Sequence, residues 1–309
     1  GGRGCVTGRR NGGEDLVAEG RAERGGARGL CRGLLALLRG DVREVLPHEA
    51  ADGRVYAIDR FAAPPDLSEL ARRHWIPVWD LPEGESSTQE VLQYPVCLIV
   101  ISNSYARFYG VQSGLSRTTL SGTGWASGVM LQPAAGSLVL GGDVRTMTDR
   151  FVDAREILDG ALVAAVRSAM ADPNDPECRR ASAAVLDDAL RAWLPVDEEG
   201  LLVNAIVEAV ETEPDIGQVA QVCQRFAITE RSLQRLLRRR IGLSPKWLIQ
   251  RRRLHEASER LRSGPGDLAG VAHDLGYADQ AHFTRDFRLV TGMTPGVFAR
   301  RFSGARPPV

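Results

Sequence analysis

Between residues 53 and 153 the apolar positions fall into short runs separated by turn residues. The runs that best fit strands are Val96–Ile101, Tyr105–Val111, Leu115–Leu120 and Trp125–Leu131. Glycines and prolines divide them, and the segments are rich in β-branched and aromatic residues. Short strands at this spacing predict a β-rich sandwich or barrel, with strands continuing to about Leu140.

From Ala154 the apolar spacing changes to a helical period. One helix should end at Asp172-Pro173, and a second should run over Glu177–Trp193. We expect this segment, residues 154–197, to serve as a helical linker or dimerisation element. A purely scaffolding role fits the same pattern.

The last hundred residues are typical of short helices separated by cap and turn residues. Ile216–Phe226 and Glu230–Arg240 are helical segments on either side of the three-residue turn Ala227–Thr229. In the second helix the apolar stripe is Leu233, Leu236 and Leu237, and the outer face carries Arg231, Gln234, Arg235 and Arg238. A helix, a tight turn and a helix with a basic outer face indicate a helix-turn-helix unit.

The same pattern occurs again after a longer helix. A cap and a first-turn proline, Ser244-Pro245, begin a helix that should run to about Leu261. Leu268–Leu275, a turn containing glycine and Gln280–Leu289 then repeat the helix-turn-helix pattern. We therefore predict two such units joined by one long helix.

Charge changes the picture because it is unevenly distributed. The chain has 309 residues with 39 Lys+Arg and 39 Asp+Glu, so its formal net charge is zero. Residues 61–200 carry a net charge of −8, whereas residues 201–309 carry +6, with 12 basic residues against three acids in Arg225–Arg262. An acidic region followed by a basic one indicates separate binding modules, the second suited to nucleic acid.

Candidate catalytic and metal-binding chemistry is sparse. The five cysteines are far apart and form no CxxC pair, and the histidines form no HExxH motif. No GxSxG, P-loop or GxGxxG motif is present. We therefore predict no enzyme activity, no metal and no cofactor. No apolar stretch approaches a membrane span and no secretory signal is credible, so we expect a cytoplasmic protein.

Three segments of the C-terminal region resemble the AraC/XylS family of transcription regulators. "LGYADQAHFTRDFRLVTGMTP" at 275–295 is similar to the family's second-motif signature, "ITERSLQRLLRRRIGLSP" at 228–245 to the first motif, and "RRRLHEASERL" at 251–261 to the linker helix. Two positions depart from the family pattern. Leu237 stands where the family usually has Phe, and Asp286 places an acid in the second recognition helix, which puts the base preference of that helix in question.

The resemblance implies a regulator that inserts two recognition helices into successive major-groove segments of double-stranded DNA. The residues that it places against base edges are Arg231, Gln234, Arg235, Gln280, His282 and Arg285. Those placed against phosphates are Arg238, Arg239, Lys246, Arg252, Thr284 and Arg288. For each arginine the plain alternative is a solvated surface side chain.

"YPVCLIVIS", "GWASGVMLQPAAGSLVL" and "MTDRFVDAREIL" resemble a cupin-like, β-rich N-terminal domain of some AraC-type regulators. Tyr94, Phe108, Tyr109 and Trp125 are candidates for lining a ligand pocket in such a domain, but aromatic residues of a small sandwich more often pack in its core. A small-molecule effector, RNA polymerase and a second copy of the chain remain open as partners, with no membrane partner expected. One alternative is an enzyme with a catalytic β-rich domain and accessory DNA binding. A third is a protein-interaction module that works through a partner, with the N-terminal domain as a dimerisation surface.

The resulting prediction is an α+β chain of two domains. The predicted segments are a disordered Gly/Arg-rich extension (1–52), a β-rich sensor (53–153), a helical linker (154–197), an all-α DNA-binding domain with two helix-turn-helix units (198–302) and a tail (303–309). This fold class is an expectation from pattern and resemblance together.

Overall fold

The structure is a computed structural model that describes residues 9–10, 48–49, 55–92, 94–262 and 266–302. Most of the predicted disordered extension and the predicted tail lie outside these residues. Two short strands, Arg9–Arg10 and His48–Glu49, fall inside the predicted extension and pair with the two edges of the main sheet.

The described strands all pair antiparallel and lie in the N-terminal part of the chain. They are β1 (Arg9–Arg10), β2 (His48–Glu49), β3 (Val55–Ala62), β4 (Ala71–Asp80), β5 (Ser86–Leu92), β6 (Leu98–Ser102), β7 (Ala106–Tyr109), β8 (Leu115–Ser121), β9 (Thr123–Leu131) and β10 (Arg150–Asp153). Eight of them form one sheet in the order β1-β10-β7-β6-β9-β4-β3-β2, and β5 and β8 form a separate two-stranded ribbon.

The centre of the sheet is formed by the segments with the strongest apolar patterns. All five residues of β6 are buried, as the uninterrupted apolar run predicts for a strand covered on both faces. Its neighbour β9 contains Gly124 and Gly128, which lie against the rings of Trp79 and Trp75 in β4. A Cβ at either glycine would collide with an indole, so these glycines allow the two strands to pack closely.

The helices are α1 (Ala135–Leu140), α2 (Gly160–Ala169), α3 (Pro176–Leu190), α4 (Glu198–Thr212), α5 (Val219–Arg225), α6 (Glu230–Ile241), α7 (Pro245–Arg262), α8 (Leu268–Asp274), α9 (Gln280–Thr291) and α10 (Pro295–Phe302). The expectation of strands up to Leu140 was wrong at its end, because residues 135–140 form α1. There Gly136 lies against Cys97, and the helix stops at Gly141 in the left-handed region.

The α2–α3 pair packs on the sheet. Arg179 of α3 forms an ion pair with Asp59 of β3, and His74 of β4 lies 2.7 Å from Asp187 of α3. Because these polar and charged side chains are buried, each needs a partner across the contact. The two pairs therefore fix the position of α3 on the sheet.

Two apolar clusters organise the rest of the chain. The larger one is continuous from the sheet through α1 and α4 into α5, α6 and the start of α7. The second contains the end of α7 with α8, α9 and α10, and Leu115 of β8 packs against it. The predicted β-rich N-terminal region followed by a helical C-terminal region is confirmed, but the apolar core does not stop at the boundary between them.

Candidate nucleic-acid interface

The first helix-turn-helix unit consists of α5 and α6. The side chain of Thr229 caps α6 by accepting from the backbone N–H of Ser232 at 3.2 Å. The helix ends at Gly242, whose φ of 78° is in the left-handed region. These two caps fix α6 at the 12 residues Glu230–Ile241.

The basic face of α6 is open to solvent while its apolar face is buried. Leu233, Leu236 and Leu237 are buried in the large cluster. Arg231, Arg235 and Arg238 are exposed on the opposite side. Gln234 is half-buried, and its amide donates to Glu230 at 2.9 Å. The predicted first reading face is therefore accessible.

The second unit, α8 and α9, repeats this construction at a constant offset of 50 residues in its recognition helix. Asp279 caps α9 by accepting from the N–H of His282 at 2.7 Å, as Thr229 does from Ser232. Gly292, with a φ of 72°, ends α9 as Gly242 ends α6. Each helix has 12 residues and is followed by a Ser/Thr-Pro cap at the start of the next helix.

The offset pairs each exposed position of α6 with one of α9. Arg235 corresponds to Arg285 and Arg238 to Arg288, and all four are exposed. The remaining pairs are Glu230 with Gln280, Arg231 with Ala281, Gln234 with Thr284, and Arg239 with Leu289. Each pair has the same burial class in both units, so the two helices present equivalent faces.

The offset also identifies two surface residues that the sequence reasoning missed. Ala281 is exposed where the first unit has Arg231, and Leu289 is 79% exposed where the first unit has Arg239. They lie with Gln280, Thr284, Arg285 and Arg288 along an open depression on α9. An alignment of the two units by their caps identifies Ala281 and Leu289, whereas the family motif indicates only polar contact residues.

His282 lies in the first turn of α9 and contacts residues of its own unit, unlike Arg285. Its offset partner is Ser232, in the first turn of the helix. The imidazole lies edge-on to the ring of Tyr277 with centroids 5.3 Å apart, and its Nε2 is 3.6 Å from Asp286. It is exposed, but its contacts run along the flank of the unit.

Asp286 turns toward the linker helix. Its carboxylate accepts from the amide of Gln250 in α7 at 2.7 Å, and the residue is half-buried. The acid that the sequence placed in question therefore joins the second recognition helix to α7.

Two of the predicted phosphate contacts already have partners within the chain. Arg239 forms an ion pair with Glu199 of α4. Arg252 donates to the backbone oxygen of Glu213 at 3.1 Å, and burial lowers the pKa of its guanidinium. Lys246 is exposed and Thr284 half-buried, so the predicted phosphate set does not form one uniform surface.

The linker helix α7 holds both units by backbone and side-chain contacts. Arg253 donates to the backbone oxygen of Gly217, ahead of α5, at 2.7 Å. The same guanidinium lies 5.6 Å from the ring centroid of Tyr277 in the turn of the second unit. One side chain thus contacts both units, which limits their relative rotation.

The four aromatics considered for an N-terminal ligand pocket lie in different places. Phe108 is completely buried in the large cluster, and Trp125 is buried beside Met170. Tyr109 packs on Phe151 at 5.5 Å. Tyr94 stacks on His255 of α7, with ring centroids 5.2 Å apart. The four residues do not line one pocket: Phe108 and Trp125 belong to two different apolar clusters, and Tyr94 and Tyr109 pack against a third.

Within the described residues, no group of three or more His, Cys, Asp and Glu side chains could hold a metal ion. No helix in that part of the chain is both long and apolar enough to cross a membrane.

Two protein families match this chain. Residues 222–301 match a helix-turn-helix domain. Residues 59–153 match a domain of unknown function, DUF6597, which covers the β-rich region. The two matches correspond to the helical and β-rich parts of the fold.

Similar proteins carry the names of transcription regulators rather than of enzymes. The HTH-type transcriptional activator RhaR of Yersinia pseudotuberculosis is 30% identical over 117 residues, or 38% of this chain and 39% of that protein. The activator RhaS of Pectobacterium carotovorum is 32% identical over 74 residues, or 24% and 26%. The chain therefore spans at most about two fifths of the length of these relatives.

Among solved structures, the C-terminal domain of AraT, a response regulator from Geobacillus stearothermophilus, is similar to part of this chain. It has 20% sequence identity and a TM-score of 0.32, and the match covers 35% of this chain and 90% of that domain.

Proposed function

The C-terminal region of this chain is an AraC-type helix-turn-helix domain, and from this we propose that the protein is a sequence-specific DNA-binding transcription regulator. The observation that carries the proposal is the pair of equivalent, solvent-exposed basic faces on α6 and α9. Each recognition helix enters a major-groove segment, and the two segments lie about one helical turn apart. The protein acts where DNA is, in the cytoplasm.

Arg235 and Arg285 are the principal base readers. They occupy the same position in the two helices, both are exposed, and an arginine fork matches the guanine edge. Arg231, Gln234, Gln280 and His282 complete the base-reading set that we propose. Ala281 and Leu289 add apolar surface of the kind that contacts a thymine methyl group.

Phosphate contacts come from Arg238 and Arg288, the second exposed pair, with Lys246 and Thr284 beside them. Arg239 and Arg252 contribute only if they leave their partners Glu199 and Glu213. RNA polymerase, a small effector and a second copy of the chain are further partners that this function would use.

The test is a selection of random DNA duplexes with the purified protein, followed by footprinting of the enriched sequences. We expect a bipartite site with two halves about one turn apart, and binding that weakens as salt rises. Failure to enrich any motif, with binding that is insensitive to duplex sequence, would overturn the proposal.

A further inference from the structure

The exposed faces of α6 and α9 are equivalent in position but differ in chemistry at their N-terminal ends. Under the offset of 50 residues, Glu230 of α6 corresponds to Gln280 of α9. Arg231 corresponds to Ala281 in the same way, and all four residues are exposed. One turn further along, both helices carry the arginine that we propose as the principal base reader. Because the N-terminal residues of a recognition helix contact base edges, these two pairs lie where sequence is read.

The spacing along each helix relates these residues to neighbouring base pairs. Arg231 and Arg235 are four residues apart on one face, so they are separated by about 6 Å along the axis at ~1.5 Å per residue. Base pairs follow one another at about 3.4 Å. Residues one turn apart therefore reach base pairs one or two steps apart, and the same holds for Ala281 and Arg285. Each helix reads one pair with a shared arginine and a nearby pair with a residue of its own.

Arg231 and Ala281 favour opposite kinds of base pair. Among the described residues, no hydrogen bond or ion pair involves the guanidinium of Arg231, so it is available to the O6 and N7 acceptors of guanine. The methyl side chain of Ala281 neither donates nor accepts a hydrogen bond, but it can pack against the methyl group of thymine. A G·C pair under α6 is therefore matched by an A·T pair under α9.

Glu230 and Gln280 extend this difference to a second position. A carboxylate only accepts hydrogen bonds, so Glu230 suits the N4 amino group of cytosine. Its carboxylate also accepts from the amide of Gln234 at 2.9 Å, which orients it beside another residue of the base-reading set. Gln280 offers both a donor and an acceptor, which is the combination that matches N7 and N6 of adenine. Both differences thus favour G·C for α6 and A·T for α9.

The surface of α9 around Ala281 leaves room for a thymine methyl group. Ala281 and Thr284 are short side chains in an open depression that Arg285 also lines. A methyl group that enters the depression contacts Ala281 while Arg285 reaches the neighbouring base pair. At the corresponding positions of α6, the longer side chains of Arg231 and Gln234 extend from the helix.

We propose that the DNA site of this protein has two unlike halves. The half under α6 carries G·C pairs where the half under α9 carries A·T pairs, and both halves keep the guanine read by the shared arginine. The difference is set by Glu230 and Arg231 in α6 against Gln280 and Ala281 in α9. This inference rests on the proposed DNA-binding function. It adds that the protein lies on its site in one orientation, because exchanging the halves places each helix on unsuitable pairs.

The first experiment uses the duplex enriched in the selection described above. From it, two further duplexes are made at the same spacing, one with two copies of the G·C half and one with two copies of the A·T half. Each should bind at least about fivefold more weakly than the enriched duplex, the lower end of the discrimination by one well-placed side chain. Two like halves in the enriched site, or equal affinity for the three duplexes, would overturn the proposal. Failure to enrich any sequence would overturn the DNA-binding function instead.

Exchange variants then assign the difference to the four residues. Glu230→Gln with Arg231→Ala gives α6 the residues of α9, so this protein should prefer the duplex with two A·T halves. Gln280→Glu with Ala281→Arg should prefer the duplex with two G·C halves. The readout is the ratio of the affinities for these two duplexes, which a change in helix stability alone does not reverse.

The control for the exchange is Arg155→Ala, because this exposed side chain pairs with Asp153 in the N-terminal domain, and its ratio should equal that of the wild type. The exchanged side chains are exposed in both helices, so we expect both variants to fold. Either variant decides the question if the other does not fold. A folded exchange variant with the wild-type ratio would show that these residues do not set the preference.

A change in the DNA alone tests the methyl contact. Replacing the thymine of the A·T half by deoxyuridine removes one methyl group and keeps every hydrogen-bonding group of the base. Binding of the wild type should fall about three- to fourfold, the contribution of one buried group of this size. Ala281→Gly should bind both duplexes equally, and the same replacement at a thymine outside the two halves should have no effect. Equal affinity of the wild type for both duplexes would contradict the pairing of Ala281 with thymine.

Discussion

The two helix-turn-helix units share one construction but differ in what surrounds them. Their recognition helices have equal length, equivalent caps and equivalent exposed positions. The first unit is continuous with the apolar core of the N-terminal domain, where α6 packs on α1, α4 and the turn Val144–Met147. The second has its own aromatic core and meets the N-terminal domain through few residues, including Leu115.

The difference indicates how a signal from the N-terminal domain can reach each unit. The first unit contacts that domain directly, through shared apolar packing and the hydrogen bond from Arg240 to Ser137 of α1 at 3.2 Å. The second unit is reached mainly through α7, by way of Arg253 and the Gln250–Asp286 hydrogen bond. The following predictions test this division, beginning with the largest effect.

Removing the central side chain of each unit should have different consequences. Phe287 contacts Phe283 and Phe298 edge to face, and Leu237 holds the equivalent position in the first unit. Phe287→Ala should cost about 3–5 kcal/mol and Leu237→Ala about 2–5 kcal/mol. Measured by hydrogen exchange, Phe287→Ala should expose only residues 268–302, whereas Leu237→Ala should also weaken protection of the sheet. Loss of protection throughout the chain in Phe287→Ala would show that the units are not separable.

Removing one base-reading arginine should alter the sequence preference of the protein at only one of the two half-sites. Arg235→Ala and Arg285→Ala should each weaken binding to the selected duplex by about 1–3 kcal/mol. The sequence preference should relax only in the half read by the altered unit, as judged by repeating the selection with each variant. Arg155→Ala is the control, since that side chain lies outside both units. An unchanged preference in both halves would remove these arginines from the reading set.

The turns of the two units differ in how they adopt positive φ. Gly276 has a φ of 71°, and Ala227 takes the corresponding place in the first unit with a φ of 49°. Gly276→Ala should therefore destabilise the protein by about 1–2 kcal/mol, since L-residues disfavour this conformation. Ala227→Gly should stabilise it, by less than about 1 kcal/mol because glycine also loses more backbone entropy on folding. Denaturant melts of both variants test the pair, and stabilisation by Gly276→Ala would contradict it.

The salt dependence of DNA binding should separate two neighbouring arginines. Arg238→Ala should reduce the slope of log affinity against log salt by about 0.9, the value for one lost phosphate contact. Arg239→Ala should reduce it less, because Glu199 already neutralises that guanidinium. Glu199→Gln should raise DNA affinity by releasing Arg239. Equal slopes for the two alanine variants would show that the ion pair opens on DNA.

The smallest effect concerns pH and the first unit only. Partial burial raises the pKa of Asp197, but the hydrogen bond and charge of Arg240 outweigh burial and hold the pKa below its ordinary value of 3.8. The pair therefore stabilises the fold fully above that value, and the contribution is lost as pH falls through the lower pKa of the folded state. Because Asp197 is largely solvent-exposed, screening keeps the effect well under about 1 kcal/mol.

Asp197→Asn is the matched variant for this measurement. Asp197 caps α4 by accepting from the N–H of Gly200 at 3.0 Å, and asparagine is an equally good cap. Denaturation of both proteins from neutral pH to below about 4 should show the wild type losing its advantage in acid. A constant difference across this range would mean that Arg240 does not act through the charge of Asp197.

How far the sequence could predict the site depends on the kind of contact. Positions on one helix follow from period and caps, so the exposure of Arg235 and Arg285 was predictable. The engagement of Arg239 and Arg252 was not, because their partners Glu199 and Glu213 lie 40 and 39 residues away. The apolar period identifies which face of a helix is polar, but it does not identify the residues of other elements that contact this face.

The change from strands to helices along the chain, the two helix-turn-helix units and the linker helix between them follow from the sequence alone. Local forces decide these features: caps, glycines at helix ends, prolines at helix starts and apolar period. Local patterns do not predict that Asp286 faces Gln250 or that Tyr94 stacks on His255. Those contacts join residues far apart in the chain, and burial of apolar surface across the domain boundary is what brings them together.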